Sequence, residues 1–296
     1  MREAAAETPA AGRPLLRVRT SWAWRRFRRH RGAQAGLGVV LVFVLLAVFA
    51  PAAAPYGPTD ANLSLRLARP SSQHWLGMDQ QGRDLLSRII YGGRVSLVIG
   101  IIAVGVAAVI GLPIGAIAGY RGGWVGHVLM TLIDILLSFP AILIAIIIVA
   151  LFGPGIRNAM IAIGVAQMPL YARLIRGEVI RLRAETFVEA ARALGLHEGR
   201  ILVRHVFPNA VGPVIVQSTL NLAGAILSAA YLGFLGLGAQ PPIPEWGAML
   251  SDGRTYLRTA PHVAIYPGLA VMLVVLGFNL FGDGLRDALD PRATRR

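Results

Sequence analysis

Six long apolar runs divide this chain, at about 36–54, 95–120, 128–152, 159–174, 211–237 and 263–281. A helix needs roughly 20 apolar residues to cross the hydrocarbon core of a bilayer. Each run therefore reads as a candidate transmembrane helix. The third holds Pro140. The fourth is short and holds Pro169. Proline inside a span predicts a kink. In the second run Gly111, Gly115 and Gly119 recur every fourth residue, a small-residue stripe that lets two helix backbones approach in lipid. The fold class expected is an all-α polytopic membrane protein of about six transmembrane helices.

The longest polar interruption with helical character lies at 178–210, between the fourth and fifth runs. Over 178–194 the pattern predicts an amphipathic helix. Ile180, Ala184, Phe187, Ala191 and Leu194 share one face; Glu178, Arg181, Glu185, Glu189 and Arg192 share the other. Gly195 is placed to end it. A second short helical piece, about 198–206, follows, and Pro208-Asn209 precedes the fifth run. This segment is longer than a simple connection needs. Its small residues Ala190, Ala191, Ala193 and Gly195 leave room for a partner to pack closely.

Composition fits the hydropathy pattern. Of 296 residues, 55% are hydrophobic and 15% charged, with mean hydropathy +0.60. The net charge is +14, and every basic side chain is Arg. Without lysine there is no P-loop or Schiff-base lysine, so any ATP used must be bound by another chain. Without cysteine there is no thiolate chemistry. The histidines (30, 74, 127, 197, 205 and 262) are dispersed and lack metal-protease spacing, and no G-x-S-x-G elbow occurs. The chain is therefore expected to have no catalytic residue, no metal and no directly bound cofactor. The arginines flank apolar runs, which points to membrane topology and not to nucleic acid.

The basic N-terminus followed by an apolar run and Ala52-Ala53-Ala54 has the outline of a secretory signal, but a retained first helix is the simpler reading. With the N-terminus inside, the segments 1–35, 121–127, 173–210 and 282–296 carry 21 of the 29 arginines. The positive-inside rule therefore predicts both termini in the cytoplasm of a multi-pass inner-membrane protein. The expected organisation is a basic segment 1–35, a first span 36–54, an outer segment 55–94, a five-helix core 95–284 containing 178–210, and a tail 285–296.

Other polar residues carry two readings each. Asp134 lies within the third run, where an ionisable group marks either a gate or a structural pair with Arg173 or Arg176. Gln167, Gln217, Asn221 and Asn279 either line a pathway or bond between helices. Asp79, Gly82, Arg83 and Asp84 lack calcium-loop spacing and read as a turn before a capped helix. Together with Glu245, Trp246 and Asp252 they form an expected outer contact surface.

Several stretches carry a family resemblance. Glu189-Ala190-Ala191, three residues, Gly195, nine residues, then His205-Val206-Phe207-Pro208 resembles the EAA loop of ABC-importer permeases. His205 and Phe207 depart from the general I-x-L-P ending, and RHVFPN resembles the variant of peptide-type permeases. HWLGMDQQGRDLLSRIIYGGRVSL (74–97), PEWGAMLSDGR (244–254) and FGDGLRDALDPR (281–292) resemble segments of dipeptide, oligopeptide and nickel permeases, of the second, C-type subunit. The resemblance implies a type I ABC-importer permease fold. It also implies a heterodimer with a second permease, two cytoplasmic ATPases that bind ATP and Mg, and an extracytoplasmic binding protein. Glu189, Ala190, Ala191, Gly195, His205 and Pro208 would then couple to the ATPase. Peptides are the implied cargo, with nickel complexes or glutathione as alternatives. A self-contained secondary transporter or channel is the competing class, and a membrane enzyme or scaffold a third; neither explains the long segment 178–210.

Overall fold

The computed structural model describes residues 27–28 and 30–289; most of the basic N-terminal segment and the end of the tail lie outside them. Among the described residues the helices are α1 (Arg31–Val48), α2 (Ala50–Ala53), α3 (Leu85–Arg121), α4 (Gly123–Leu137), α5 (Ala141–Phe152), α6 (Ile156–Arg183), α7 (Thr186–Ala193), α8 (Glu198–Ile201), α9 (Phe207–Phe234), α10 (Trp246–Gly253) and α11 (His262–Leu289). A π-helical turn, Leu202–Val206, joins α8 to α9, and no strand occurs among these residues.

Helices α1, α3, α11 and the run Glu198–Phe234 are each long and apolar enough to cross a membrane. The third expected span is not one kinked helix. The N–H and hydroxyl of Ser138 both donate to the Asp134 carbonyl, at 3.0 and 2.9 Å, and finish α4. Pro140 has no N–H with which to resume, and it disfavours helix at Phe139. The result is a broken pair, α4 and α5, bent by 88°. The fourth run lies within α6, whose 28 residues pass through Pro169 unbroken. The second span starts earlier than expected. Asp84 caps α3, accepting from the Ser87 N–H at 2.8 Å, so the helix begins at Leu85 and not near 95.

Packing in the bundle is set by close backbone approach. A Cβ on Gly111 would lie 2.5 Å from the Met168 carbonyl, and one on Gly115 would meet the Ala172 carbonyl closer still. The glycine stripe of α3 therefore seats directly on α6. At one end, here called the mouth, α10 tucks between α3, α9 and α11. Trp246 fills that joint at 0% exposure and donates its indole N–H to the Ile89 carbonyl at 3.0 Å. At the opposite end lie the tips of α3 and α6 and the segment 184–206. The start of α1 and the end of α11 reach this same end, where Ala33 packs on Gly284.

Candidate functional site

The segment after α6 is a folded platform. The expected single helix over 178–194 breaks at Ala184, where the N–H bonds revert to Arg181 and Leu182, and Glu185 is extended before α7. The break resets the helical phase. Val179, Leu182, Val188 and Ala191 are the buried residues, whereas Ile180, Phe187 and Leu194 of the expected buried face are exposed, Leu194 at 82%. The buried set joins Ala116, Tyr120, Ile175, Ile201, Val206 and Ala210 in one apolar cluster.

Gly195 closes α7. It has φ +75°, its N–H donates to Arg192 at 2.9 Å, and the Leu196 N–H donates to Ala191 at 3.2 Å. This is a Schellman cap, with Leu196 packed on the cluster that holds Ala191. No atom crowds Gly195, so its requirement is conformational alone. Glu189, Ala190 and Gly195 are exposed together, Ala191 is buried beneath them, His205 is half-buried and Pro208 is exposed in the first turn of α9. The Asn209 side chain caps the His205 carbonyl at 2.6 Å.

The platform is fastened to the bundle by polar bonds. The Tyr120 hydroxyl, at the last turn of α3, donates to Glu198 Oε2. Arg192 Nε donates to Glu198 Oε1 at 3.0 Å. Arg183 Nη1, from α6, donates to the Tyr120 carbonyl at 2.6 Å and its guanidinium lies 5.6 Å over the Tyr120 ring. The Tyr120 hydroxyl, and then Arg192, hold the Glu198 carboxyl below its ordinary range. The charged form is therefore kept at neutral pH and lost only as pH falls through that lowered value.

At the mouth the expected contact surface is largely internal. Asp79, Arg83, Asp84, Glu245 and Trp246 are all buried; Asp252 alone of the six is exposed. Asp79 bonds Arg83 Nε at 2.7 Å and lies 3.2 Å from Arg88 Nε. Asp84 lies 2.9 Å from His74 Nδ1. Glu245 caps α10 through the Gly247 and Ala248 N–H groups, at 2.8 and 2.9 Å. Burial pushes its carboxyl up, against those two bonds. These side chains hold the mouth together and are closed to a protein docking from outside. A loop's polar residues look like a surface in sequence; here their ionic and capping partners are mostly near neighbours in the chain, and it is the fold that buries them.

On α4, Asp134 accepts from Arg173 Nη2 of α6 at 2.6 Å, with both side chains more than half exposed. Gln167 on α6 is buried and faces α9 near Gly224. Gln217 donates to Asn221 Oδ1 at 2.8 Å, and Tyr171 donates to Ser218 at 3.0 Å, so α6 and α9 meet across a polar patch. Asn279 stands apart, exposed on α11.

Residues 111–295, covering this platform and most of the bundle, match the family described as binding-protein-dependent transport system inner membrane component. The chain belongs to that family. Residues 20–70 match the N-terminal transmembrane domain of oligopeptide transport permease C. This permease is 49% identical over 270 residues to a dipeptide transport system permease of Alkalihalophilus pseudofirmus, covering 91% of this chain and 89% of that one. It is 46% identical over 286 residues to a glutathione transport system permease of Pectobacterium atrosepticum, covering 94% and 95%. Its fold resembles a chain of the MetNI methionine ABC transporter in an inward-facing form, with TM-score 0.56 over 72% of this chain and 98% of that one, at 20% identity.

The permease is thus the C-type membrane subunit of an ABC importer, a multi-pass transport subunit. A self-contained transporter or channel is not the favoured class. Sequence reasoning singled out Glu189, Ala191 and Gly195 but missed Tyr120, Arg183 and Glu198 as a group. Tyr120 and Glu198 are 78 positions apart, and no local spacing signals such a pair.

Proposed function

We propose that this permease forms half of a peptide-import pathway and couples it to separate cytoplasmic ATPases through the 184–206 platform. The observation that carries the reading is the exposed group Glu189, Ala190, Leu194 and Gly195, raised on a base whose underside is buried. Glu189 offers a carboxylate for a charge-assisted bond, Ala190 permits close packing, and the Gly195 cap fixes the edge. Chemistry with ATP and Mg would belong to the ATPases. A second, homologous permease would complete the pathway, with Gln167, Gln217, Asn221 and Asn279 as candidate lining and Asp134–Arg173 as a tie beside it. The binding protein would meet the mouth at Asp252 and its exposed neighbours. Both termini and the platform would face the cytoplasm, in agreement with the arginine distribution.

Di- and oligopeptides are the proposed cargo, since a dipeptide permease is 49% identical. Glutathione, itself a short peptide, is the second reading because a 46% identical relative is named for it.

The test is a pull-down in mild detergent from cells co-expressing the permease with its partner permease and ATPases, comparing wild type with Gly195→Asp. Aspartate at φ +75° strains the cap and adds charge at the contact. Wild type should retain the ATPases, and the variant should keep the partner permease alone. Equal retention by both would remove the platform from the contact.

A further inference from the structure

Three elements converge on Tyr120. Its ring, 7% exposed, lies in the platform cluster while still belonging to the last turn of α3. Its hydroxyl bonds Glu198, its carbonyl receives Arg183 from α6, and Glu198 is in turn held by Arg192 of α7. Arg192 is on the same short helix as the exposed Glu189 and Ala190. The side chain that faces a docked ATPase and the side chain that grips α3 are thus separated by one helix and two polar bonds.

Helix α3 then runs for 37 residues, through Pro113 without interruption, a length of about 55 Å. Its far end is anchored as well. Arg88 Nη1 donates to the Pro58 carbonyl at 2.9 Å, the Tyr56 N–H donates to Ser87 at 3.1 Å, and Asp84 meets His74. Between these ends, the glycine stripe sets α3 so close to carbonyls of α6 that even an added Cβ would strike them. Apolar contact alone would hold the platform to α3 without direction. A charge-assisted hydrogen bond has direction and transmits a pull as well as a push.

We propose that Glu198 is the positioning residue through which movement of α7 is delivered to Tyr120, and along α3 to the mouth. The inference rests on the coupling reading above and adds a specific attachment to it. The platform, α3 and α6 move as one body, and the Glu198–Tyr120 bond is the join that keeps them so. Such a route needs a coupling measurement and not proximity alone.

The experiment uses the whole complex (both permeases, ATPases and binding protein) in proteoliposomes, with labelled dialanine as probe. The readout is dialanine taken up per ATP hydrolysed, for wild type, Tyr120→Phe, Glu198→Ala and the double variant. Tyr120→Phe removes one hydroxyl and keeps the buried ring, so the fold is retained. Each single variant should keep its ATPases and lower the ratio about threefold, the modest loss expected of a bond to a half-exposed carboxylate. The double variant should be no worse than either single, since both break one link. A Tyr120→Phe complex with its ATPases bound and a wild-type ratio would overturn the proposal. So would loss of ATPases from both single variants, because the bond would then only shape the docking surface. A wild type that retains no ATPase sinks the coupling reading and this inference with it. A wild type that hydrolyses ATP without moving dialanine sinks only the peptide cargo; stimulation of hydrolysis by the binding protein then replaces the ratio, with the same two expectations.

Discussion

Three charged side chains, Asp79, Arg83 and Arg88, sit inside the mouth with almost no access to water. One carboxylate serves both guanidiniums, and Asp79 Oδ1 also accepts the Gln81 and Arg83 N–H groups, at 2.8 and 3.0 Å. Taking one partner from a buried ion group leaves the others charged and unpaired, which costs about 3–5 kcal/mol. Asp79→Asn keeps the shape and removes the charge. It should lower the thermal unfolding midpoint in detergent and open the 55–84 segment to protease. An unchanged midpoint would mean that water reaches these arginines. The sequence displayed Asp79, Arg83 and Asp84 as polar residues in a loop, the usual sign of a surface. Their burial was not legible, because Arg88 belongs to the extended start of α3 and the Pro58 carbonyl lies 30 positions away from it.

At the scale of elements, the glycine stripe of α3 was legible as a packing face, but its partner was not. Spacing says that something approaches closely; only the fold says that it is the backbone of α6. Gly115→Ala should force α3 and α6 apart, an overpacking cost of about 1–3 kcal/mol. Gly105→Ala on the same helix has no atom near its new Cβ and serves as the control. Comparing the melting midpoints of the two variants checks this, and equal midpoints would contradict the seating of α3 on α6. The broken pair α4 and α5 was half legible. Pro140 marked the place, while the 88° turn depends on Ser138 finishing α4 first. The break at Ala184 carried no signal, with neither Gly nor Pro there, so the apolar face was read in the wrong phase across Ile180, Phe187 and Leu194. Ala191 stayed on the buried side in both readings.

For the whole molecule, hydropathy made the membrane class legible and the EAA stretch made the family legible, but six spans were expected where four of the described helices, or five with the bent pair, are long and apolar enough to cross. The mouth assembly was not legible, because it is built from three distant segments. The orientation can be checked directly, since the chain has no native cysteine. Trp75 and Leu194 are 71% and 82% exposed at opposite ends. In right-side-out vesicles lacking the ATPases, a membrane-impermeant maleimide should label Trp75→Cys at once and Leu194→Cys only after permeabilisation. The reverse order would invert the proposed topology.

The pairing of α1 with the end of α11 has a practical corollary. Ala33 rests on Gly284, Phe27 meets Phe281 edge-on at 5.8 Å, and His30 Nε2 lies 3.6 Å from Asp287. The first and last described helices are stitched side by side at the platform end. A short polypeptide bridge between positions near 30 and 287 would close the chain into a ring without traversing the bilayer. New ends opened elsewhere would give a circular permutant, and a fluorescent domain inserted in that bridge would report from beside the platform while leaving the mouth untouched.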